Sequence, residues 1–508
     1  MLQAQLTIDP AHRVAPVRRR TFGTFVEHLG RCVYTGIYEP GHPTADEEGF
    51  RGDVLALTRE LGVTTVRYPG GNFVSGYRWE DGVGPRERRP RRLDLAWHST
   101  ETNEIGVDEF VRWTRLAGLE PMMAVNLGTR GVQESLDLLE YCNIPSGTAL
   151  SDLRIANGAK EPHDIRMWCL GNEMDGPWQI GHKTAREYGR LAAETARAMR
   201  MVDPGLELVA CGSSGSSMPT FGTWEATVLE ETYDLVDHIS CHAYYEEKEG
   251  DLGGFLACAT DMEHFISTVV STADQVGARL GSRKRINVSF DEWNVWYMSR
   301  FQSAPPPPDW PVAPPLLEDH YHLADAVALG SLIITLLRHS DRVAAACLAQ
   351  LVNVIAPIMT EPGGRAWRQT TFHPFAQAAR YAKGEVVRVE PACPSYETAE
   401  FGEVPVLHAV ATHDGQDTTL FVVNRSVREP VELEIDARAL GMGTDGGTHG
   451  GAVRITEATT LTHEDVYARN TADDPGRVTP RPNTDHRSDP LRIVLPPVSW
   501  NVIRLSKA

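Results

Sequence analysis

Eight short apolar runs recur between residues 20 and 350, with helical patterns between them. This recurrence restricts the fold more than any other feature of the chain. The runs are TFGTFV (21–26), VTTVRY (63–68), PMMAVN (121–126), IRMWCLG (165–171), LELVACG (206–212), DHISCHAY (237–244), RINVSFD (285–291) and AAACLAQ (344–350). A strand that is apolar on both sides must be covered on both sides, which is the condition of a parallel sheet wrapped by helices. Between the runs, Tyr188, Leu191, Ala192, Thr195, Met199 and Val202 fall on one helical stripe, with Glu187, Arg190, Glu194 and Arg197 turned away. Residues 108–117 behave similarly, and Asp203-Pro204-Gly205 stops the longer helix. Eight such units predict a (β/α)8 TIM barrel with enlarged loops. The longest apolar run, 326–337, predicts a buried helix; a membrane span needs about 20 apolar residues.

After residue 380 the pattern changes. LHAVAT (407–412), TLFVVN (419–424), VELEID (431–436) and LRIVL (491–495) are short strands separated by turn residues, and the strict alternation in 431–436 leaves one face solvated. They predict a C-terminal antiparallel β-sandwich, joined by an N-terminal strand in which Leu2, Ala4, Leu6 and Ile8 alternate. The expected units are a catalytic barrel over 18–380 and a sandwich built from 1–17 plus 381–508. Residues 441–489, rich in Gly, Thr and Asp, read as long loops. The proline-rich APPPPDWPVAPP (304–315) follows the seventh run, so it belongs on the C-terminal face of the barrel, either as a wall or lid of a site or as a plain surface loop.

Bulk properties narrow the function classes. A net charge of -19 disfavours nucleic acid and anionic membranes and suits a neutral substrate. The first residues, MLQAQLTIDPAHRVAP, lack the basic and apolar regions of a secretory signal, and the eight cysteines are scattered without a CxxC pair. Reduced thiols in a cytoplasmic protein are therefore expected, with neither a disulfide framework nor a zinc site. GSSGSS (212–217) is not a G-x-S-x-G elbow, and no Walker loop or HExxH occurs.

Active sites of such barrels lie at the C-terminal strand ends. The polar residues there are Glu27, His28, Arg67, Asn72, Asn126, Asn172, Glu173, His242, Tyr244, Asp291, Glu292, Gln350 and Asn353. They contain no clear metal set, and no cofactor is expected. Two glutamates stand out, Glu173 after the fourth run and Glu292 after the seventh. Glycosidic cleavage needs such a pair: one carboxyl protonates the leaving oxygen, and the other supports positive charge at the anomeric carbon. A gap of about 5–5.5 Å lets the second carboxylate attack directly and retains configuration, whereas a wider gap admits water and inverts it. Asn172 is placed to bind a sugar hydroxyl, and Trp293 and Trp296 supply apolar surface that raises a nearby carboxyl's pKa. A single glutamate at a strand end is more often a salt-bridged structural residue; the pair reverses that preference.

Several stretches together resemble glycoside hydrolase family 51, the intracellular α-L-arabinofuranosidases, over nearly the whole chain. They include FGTFVEHLGRCVYTGIY (22–38), VRYPGGNFVSGYRWEDGVGP (66–85), RPRRLDLAWHSTETNEIG (89–106), WCLGNEMDGPWQIGHK (168–183), HAYY (242–245), FDEWNVWY (290–297), AQLVNVIAPI (349–358) and SWNVIRL (499–505). The resemblance implies a retaining enzyme with Glu173 as acid/base and Glu292 as nucleophile. It implies that Glu27, Asn72, Asn172 and Gln350 hydrogen-bond furanose hydroxyls, that Tyr244 donates to the nucleophile, and that Trp97 and Trp296 line the pocket. It further implies an arabinose-containing oligosaccharide as substrate and a homo-oligomer, often a hexamer. Plainer roles stand beside these. Asn72 could cap a turn after Tyr-Pro-Gly-Gly, Gln350 and Asn353 could satisfy buried backbone groups, and Trp97 could be core or a subunit contact. His242 reads as a supporting or core histidine rather than a catalyst. The basic run Arg86, Arg88, Arg89, Arg91 and Arg92 reads as a solvated loop or an interface pairing with acids. Rival functions are a β-xylosidase or endo-glucanase of the same clan, a non-catalytic carbohydrate-binding protein, and a metal-dependent barrel hydrolase.

Overall fold

The computed structural model describes residues 1–508 except 249, 442–452 and 508. Its centre is a closed barrel of eight parallel strands: β1 (Gly23–Phe25), β2 (Thr65–Tyr68), β3 (Glu120–Val125), β4 (Met167–Leu170), β5 (Glu207–Ala210), β6 (His238–Tyr245), β7 (Asn287–Val295) and β8 (Val343–Leu348). Every expected run is one of these strands. Each pairs with the next, and β8 closes on β1 through Cys347–Gly23 and Leu348–Thr24.

Strand β7 is longer than its sequence pattern suggested and carries Glu292 within the strand rather than beyond it. The register with β8 slips between Phe290 and Trp293, and that with β6 slips at Ser240/His242. Side chains of a regular strand alternate between faces. The bulge at 291–292 lets the adjacent Asp291 and Glu292 both reach groups inside the barrel.

The helix Ala185–Val202 starts at Thr184, whose hydroxyl accepts from the Glu187 amide while Glu187 accepts from the Thr184 amide at 3.0 Å. Tyr188, Ala192, Thr195 and Met199 are buried as the stripe requires, but Val202 is 40% exposed because it ends the helix next to the Asp203 cap. Leu323–Arg338 is buried along its whole length up to Leu337. One side meets β7 and β8, and the other meets the sandwich strands Leu407–His413, Asp417–Asn424 and Ser499–Lys507. Gly330 allows that double contact, since a Cβ there would stand 2.5 Å from the Trp500 ring.

The sandwich has a seven-stranded sheet in the order Arg13–Pro16, Glu385–Val387, Leu407–His413, Asp417–Asn424, Ser499–Lys507, Val453–Leu461, Arg481–Pro482. Its four-stranded partner runs Leu2–Thr7, Val431–Asp436, Leu491–Leu495, His486–Ser488. Residues such as Leu6, Val422, Leu433, Ile493 and Ile503 fill the space between them. Leu2–Thr7 pairs in parallel with Val431–Asp436, the exception in an otherwise antiparallel arrangement of the described strands.

The expectation of loops through 441–489 needs correction. Val453–Leu461, with the sequence VRITEATTL, is a nine-residue strand along Ser499–Lys507. Its β-branched residues outweigh the turn-forming composition on either side, and 442–452 lie outside the described residues. All eight cysteines are free, seven of them buried and Cys393 partly so. Among the described residues no helix is long and apolar enough to cross a membrane.

Candidate active site

The C-terminal end of the barrel holds a connected set of buried polar groups, centred on a cation. Arg67 of β2 is 1% exposed, and a guanidinium taken out of water needs nearby negative charge and full hydrogen bonding. Its Nη1 donates to Glu292 Oε1 at 2.7 Å and its Nη2 to Asn172 Oδ1 at 2.7 Å, while Nε lies 3.6 Å from Asp291. The Tyr244 hydroxyl donates to the second Glu292 oxygen at 2.7 Å. Burial raises the Glu292 carboxyl above the ordinary range, and the Glu173 charge adds to this; the charges of His242 and Arg67 and the Tyr244 hydroxyl oppose the rise only in part.

Glu173 follows β4 with φ at +45°, in the left-handed region that a non-glycine residue rarely adopts. Its Oε1 accepts from His242 Nδ1 at 2.9 Å and its Oε2 from the Trp178 indole at 2.7 Å. His242 Nε2 donates to Asp291 Oδ1 at 2.9 Å. Burial by itself would lower the His242 pKa, but Glu292, Asp291 and Glu173 around it hold it well above the usual value. While Glu173 is ionised the ring donates from both nitrogens; once Glu173 carries the acid proton, Nδ1 can accept its O–H. One oxygen of Glu173, one of Glu292 and one nitrogen of His242 lie within 4.8 Å of one another. That spacing would suit a cation, but a protonated imidazole has no lone pair to offer one.

Glu27, just past β1, forms the opposite wall. Its Oε1 accepts from the Phe73 amide (2.9 Å) and the Trp97 indole (2.9 Å), and its Oε2 accepts from the Gln350 amide (3.0 Å). Burial pushes its pKa up to about 8, so the carboxyl is protonated at neutral pH. Gly71 packs against it with φ +33°, and a Cβ there would come within 2.3 Å of Glu27 Oε2. Beside it, Asn72 Oδ1 accepts from the Asn172 amide at 3.4 Å. Trp296 stands edge-on to Tyr244, with ring centroids 5.1 Å apart. Phe301 bridges Trp296 and Trp97 at 6.0 and 6.1 Å.

All nine residues expected at the site, Glu27, Asn72, Trp97, Asn172, Glu173, Tyr244, Trp296, Glu292 and Gln350, belong to this one network. Asn126 and Asn353 do not. Asn126 donates to the Tyr77 carbonyl at 2.9 Å, and Asn353 to the Arg31 carbonyl at 2.9 Å, so both brace loops. His242 joins the two glutamates instead of serving only as core. Arg67 and Asp291 were visible as strand-end polar residues, but nothing in their spacing marked them as the charges around which the site is arranged. Trp178 and Phe301 lie on loop and short-helix segments that carry no periodic signal. The proline-rich segment packs on the stretch that follows Trp97: the Thr100 amide and hydroxyl donate to the Pro311 and Trp310 carbonyls at 3.0 and 2.7 Å, and Trp310 packs on His98 at 3.8 Å. In the basic run, Arg89 pairs with buried Glu109 and Arg92 with Asp81, each at 2.8 Å, which makes these two arginines structural within the chain.

Two buried carboxyls facing one another across the mouth of a (β/α)8 barrel, each held by donors, define a glycosidase-class site. Residues 57–264 match the family model described as alpha-L-arabinofuranosidase 1 domain, and residues 291–499 match the alpha-L-arabinofuranosidase C-terminal domain. A Streptomyces lividans protein named intracellular exo-alpha-(1->5)-L-arabinofuranosidase is 62% identical over 99% of this chain and 75% of its own length. A Bifidobacterium longum exo-alpha-(1->6)-L-arabinofuranosidase is 56% identical over 99% of this chain and 97% of its own. A solved family 51 alpha-L-arabinofuranosidase from Bifidobacterium longum superposes with a TM-score of 0.93 at 51% identity, covering 99% of both chains. The Thermotoga maritima alpha-L-arabinofuranosidase in its arabinose complex gives 0.86 at 33% identity, covering 99% of both chains. The chain belongs to glycoside hydrolase family 51, the α-L-arabinofuranosidases.

Proposed function

We propose that this protein is a retaining, exo-acting α-L-arabinofuranosidase that releases terminal α-L-arabinofuranosyl units from arabino-oligosaccharides. The observation that carries this reading is the approach of Glu173 and Glu292, whose nearest oxygens lie within 4.8 Å. Inverting enzymes keep their carboxyl groups about 6.5–9.5 Å apart to admit water, so this spacing favours direct attack. Glu292 is the nucleophile: Arg67 and Tyr244 fix both of its oxygens and favour its ionised form. Glu173 protonates the leaving oxygen as Glu292 attacks the anomeric carbon, giving a covalent arabinosyl-enzyme. Glu173 then takes a proton from water, which displaces Glu292 and frees arabinose with retained configuration. Glu27, Asn72, Asn172 and Gln350 bind the sugar hydroxyls, with protonated Glu27 able to donate one hydrogen bond. Trp97 and Trp296 cover the ring faces.

The relatives' names contain both (1->5) and (1->6) linkages. Several of the (1->5) relatives are named intracellular, which fits a cytoplasmic enzyme. We also assign catalysis to residues 18–380 and a supporting role to 1–17 with 381–508, in a homo-oligomer whose order, a hexamer by family resemblance, sedimentation would measure. The functional test compares rates on 4-nitrophenyl α-L-arabinofuranoside, β-xyloside and β-cellobioside. The arabinofuranoside should be preferred. Glu292→Ala should lose more than about 1,000-fold in kcat and recover partly with azide, yielding an inverted product. Glu173→Ala should keep turnover on the activated aryl leaving group while losing natural arabinosides. Full cleavage of natural arabinosides by Glu173→Ala would refute the role assignment.

A further inference from the structure

A second cavity, of about 380 Å³, opens on the same end of the barrel, between the loops after β6 and β7 and a segment of the sandwich unit. Trp296 faces the carboxylate pair with Tyr244, whereas the next residue, Tyr297, lines this cavity, so the two spaces share one stretch of chain. The floor is rigid. His322, 6% exposed, shares a hydrogen bond of 3.0 Å with the Tyr297 hydroxyl, which donates to buried Asp325 at 2.8 Å. Backbone amides of Leu323 and Ala324 donate to the carbonyls of Ala468 and Val466, fixing the sandwich segment onto the barrel. Burial and the neighbouring Arg469 and Arg300 hold His322 down to about 4, so the ring is neutral, and burial pushes Asp325 beneath it up to about 7.

The walls carry Arg300, Arg469 and Lys248 against one carboxylate, Glu247, together with the rings of Tyr297 and Tyr467. Arg300 lies 4.0 Å over the Tyr297 ring, a stacking that leaves the N–H edge of the guanidinium open. Arg469 also lines the cavity. Among the described residues neither arginine has a carboxylate within ion-pair distance: Asp465 pairs with Arg477 at 3.8 Å, and Glu247 accepts the Tyr467 hydroxyl at 2.7 Å. With Lys248 paired to Glu400, the two arginines still outnumber Glu247 in the lining, and such an excess on a chain of net charge -19 concentrates anions where the rest of the surface repels them. Tyr467 stands 45% exposed, edge-on to His322 at 4.9 Å, and offers an apolar face beside the guanidinium groups. Free guanidinium forks match carboxylate oxygens, and an exposed tyrosine face packs the C–H face of a sugar ring.

We propose that this cavity is a second binding site for a carboxylate-bearing sugar, a uronic acid unit borne on the same oligosaccharide whose terminal residue enters the carboxylate pair. The second half of this inference rests on the glycosidase reading; the binding of a uronate does not. The test titrates the full chain by calorimetry with sodium glucuronate, glucose and inorganic phosphate, and measures 4-nitrophenyl arabinofuranoside hydrolysis in parallel. Glucuronate should bind at least ten-fold more tightly than glucose. The double variant Arg300→Gln/Arg469→Gln should lose ten-fold or more of that binding and keep aryl arabinofuranoside kcat/KM within two-fold. Tyr467→Ala should weaken glucuronate but not phosphate. Equal binding of glucose and glucuronate, or glucuronate binding indifferent to both arginines, would overturn the proposal. Glucuronate and phosphate of equal affinity, with no effect of Tyr467→Ala, would reduce the cavity to a simple anion site and overturn its sugar specificity. Absent hydrolysis with intact glucuronate binding would refute the activity while leaving this site standing.

Discussion

Glu292 shows how a single residue's chemistry depends on what its two oxygens accept. Arg67 holds one and Tyr244 the other, each at 2.7 Å. A hydrogen bond to a charged group contributes about 1.5–3 kcal/mol, so Tyr244→Phe should lower kcat by roughly 10- to 100-fold with little change in KM. The same loss of a donor should move the acidic limb of the kcat/KM profile upward, which a pH series measures. Glu27 behaves oppositely, since burial keeps its folded-state pKa near 8 against an ordinary 4.5. A carboxyl raised in this way stabilises the fold fully below pH 4.5, and its contribution is lost as pH rises through 8. Glu27→Gln, neutral at every pH, should therefore flatten the decline of Tm between pH 5 and 8; an unchanged slope would contradict a buried, protonated Glu27. The identities of both glutamates as strand-end acids were readable from the sequence. The protonation of Glu27 was not, because burial by Trp97, Phe73 and Gln350 arises from three distant parts of the chain.

At the scale of elements, periodicity was enough to locate the strands but not their irregularities. The bulge in β7 turns Asp291 and Glu292 inward together, although a period of two would send one of them to the helical layer. The outer helix Ala185–Val202 was legible down to its cap, since Thr184 and Glu187 form a local motif within one turn. The strand Val453–Leu461 was not, because its flanking composition resembles loops and its partner Ser499–Lys507 is distant in sequence. Leu323–Arg338 shows the cost of contact on every side. Gly330→Ala would drive a methyl group into the Trp500 ring, 2.5 Å away. Overpacking of this kind costs about 1–3 kcal/mol, despite alanine's better helix propensity. Urea unfolding should show that loss, and Trp500→Phe combined with Gly330→Ala should recover part of it if the clash is the cause.

Across the whole molecule, the same helix couples the two units. Its apolar surface faces the barrel on one side and the seven-stranded sheet on the other, and the Leu323 and Ala324 amides are satisfied by carbonyls of 468 and 466. Removal of residues 381–508 would expose a helix that is apolar all round. The intact chain should therefore unfold in one calorimetric transition, and a chain ending at 380 should aggregate rather than yield a soluble barrel; a soluble, folded 1–380 product would show that the coupling is weak.

The chain by itself determined the number and order of barrel strands, the presence of a second β unit, and the position of two glutamates at the fourth and seventh strands. These depend on local periodicity, on turn chemistry and on motifs a few residues long. Tertiary structure alone decided the distance between Glu173 and Glu292, the placement of Arg67 and His242 among three carboxylates, the protonation of Glu27, and the positive cavity formed by Arg300 with Arg469. Each of these depends on groups brought together from distant parts of the chain, where burial and charge act through space and leave no trace in local spacing.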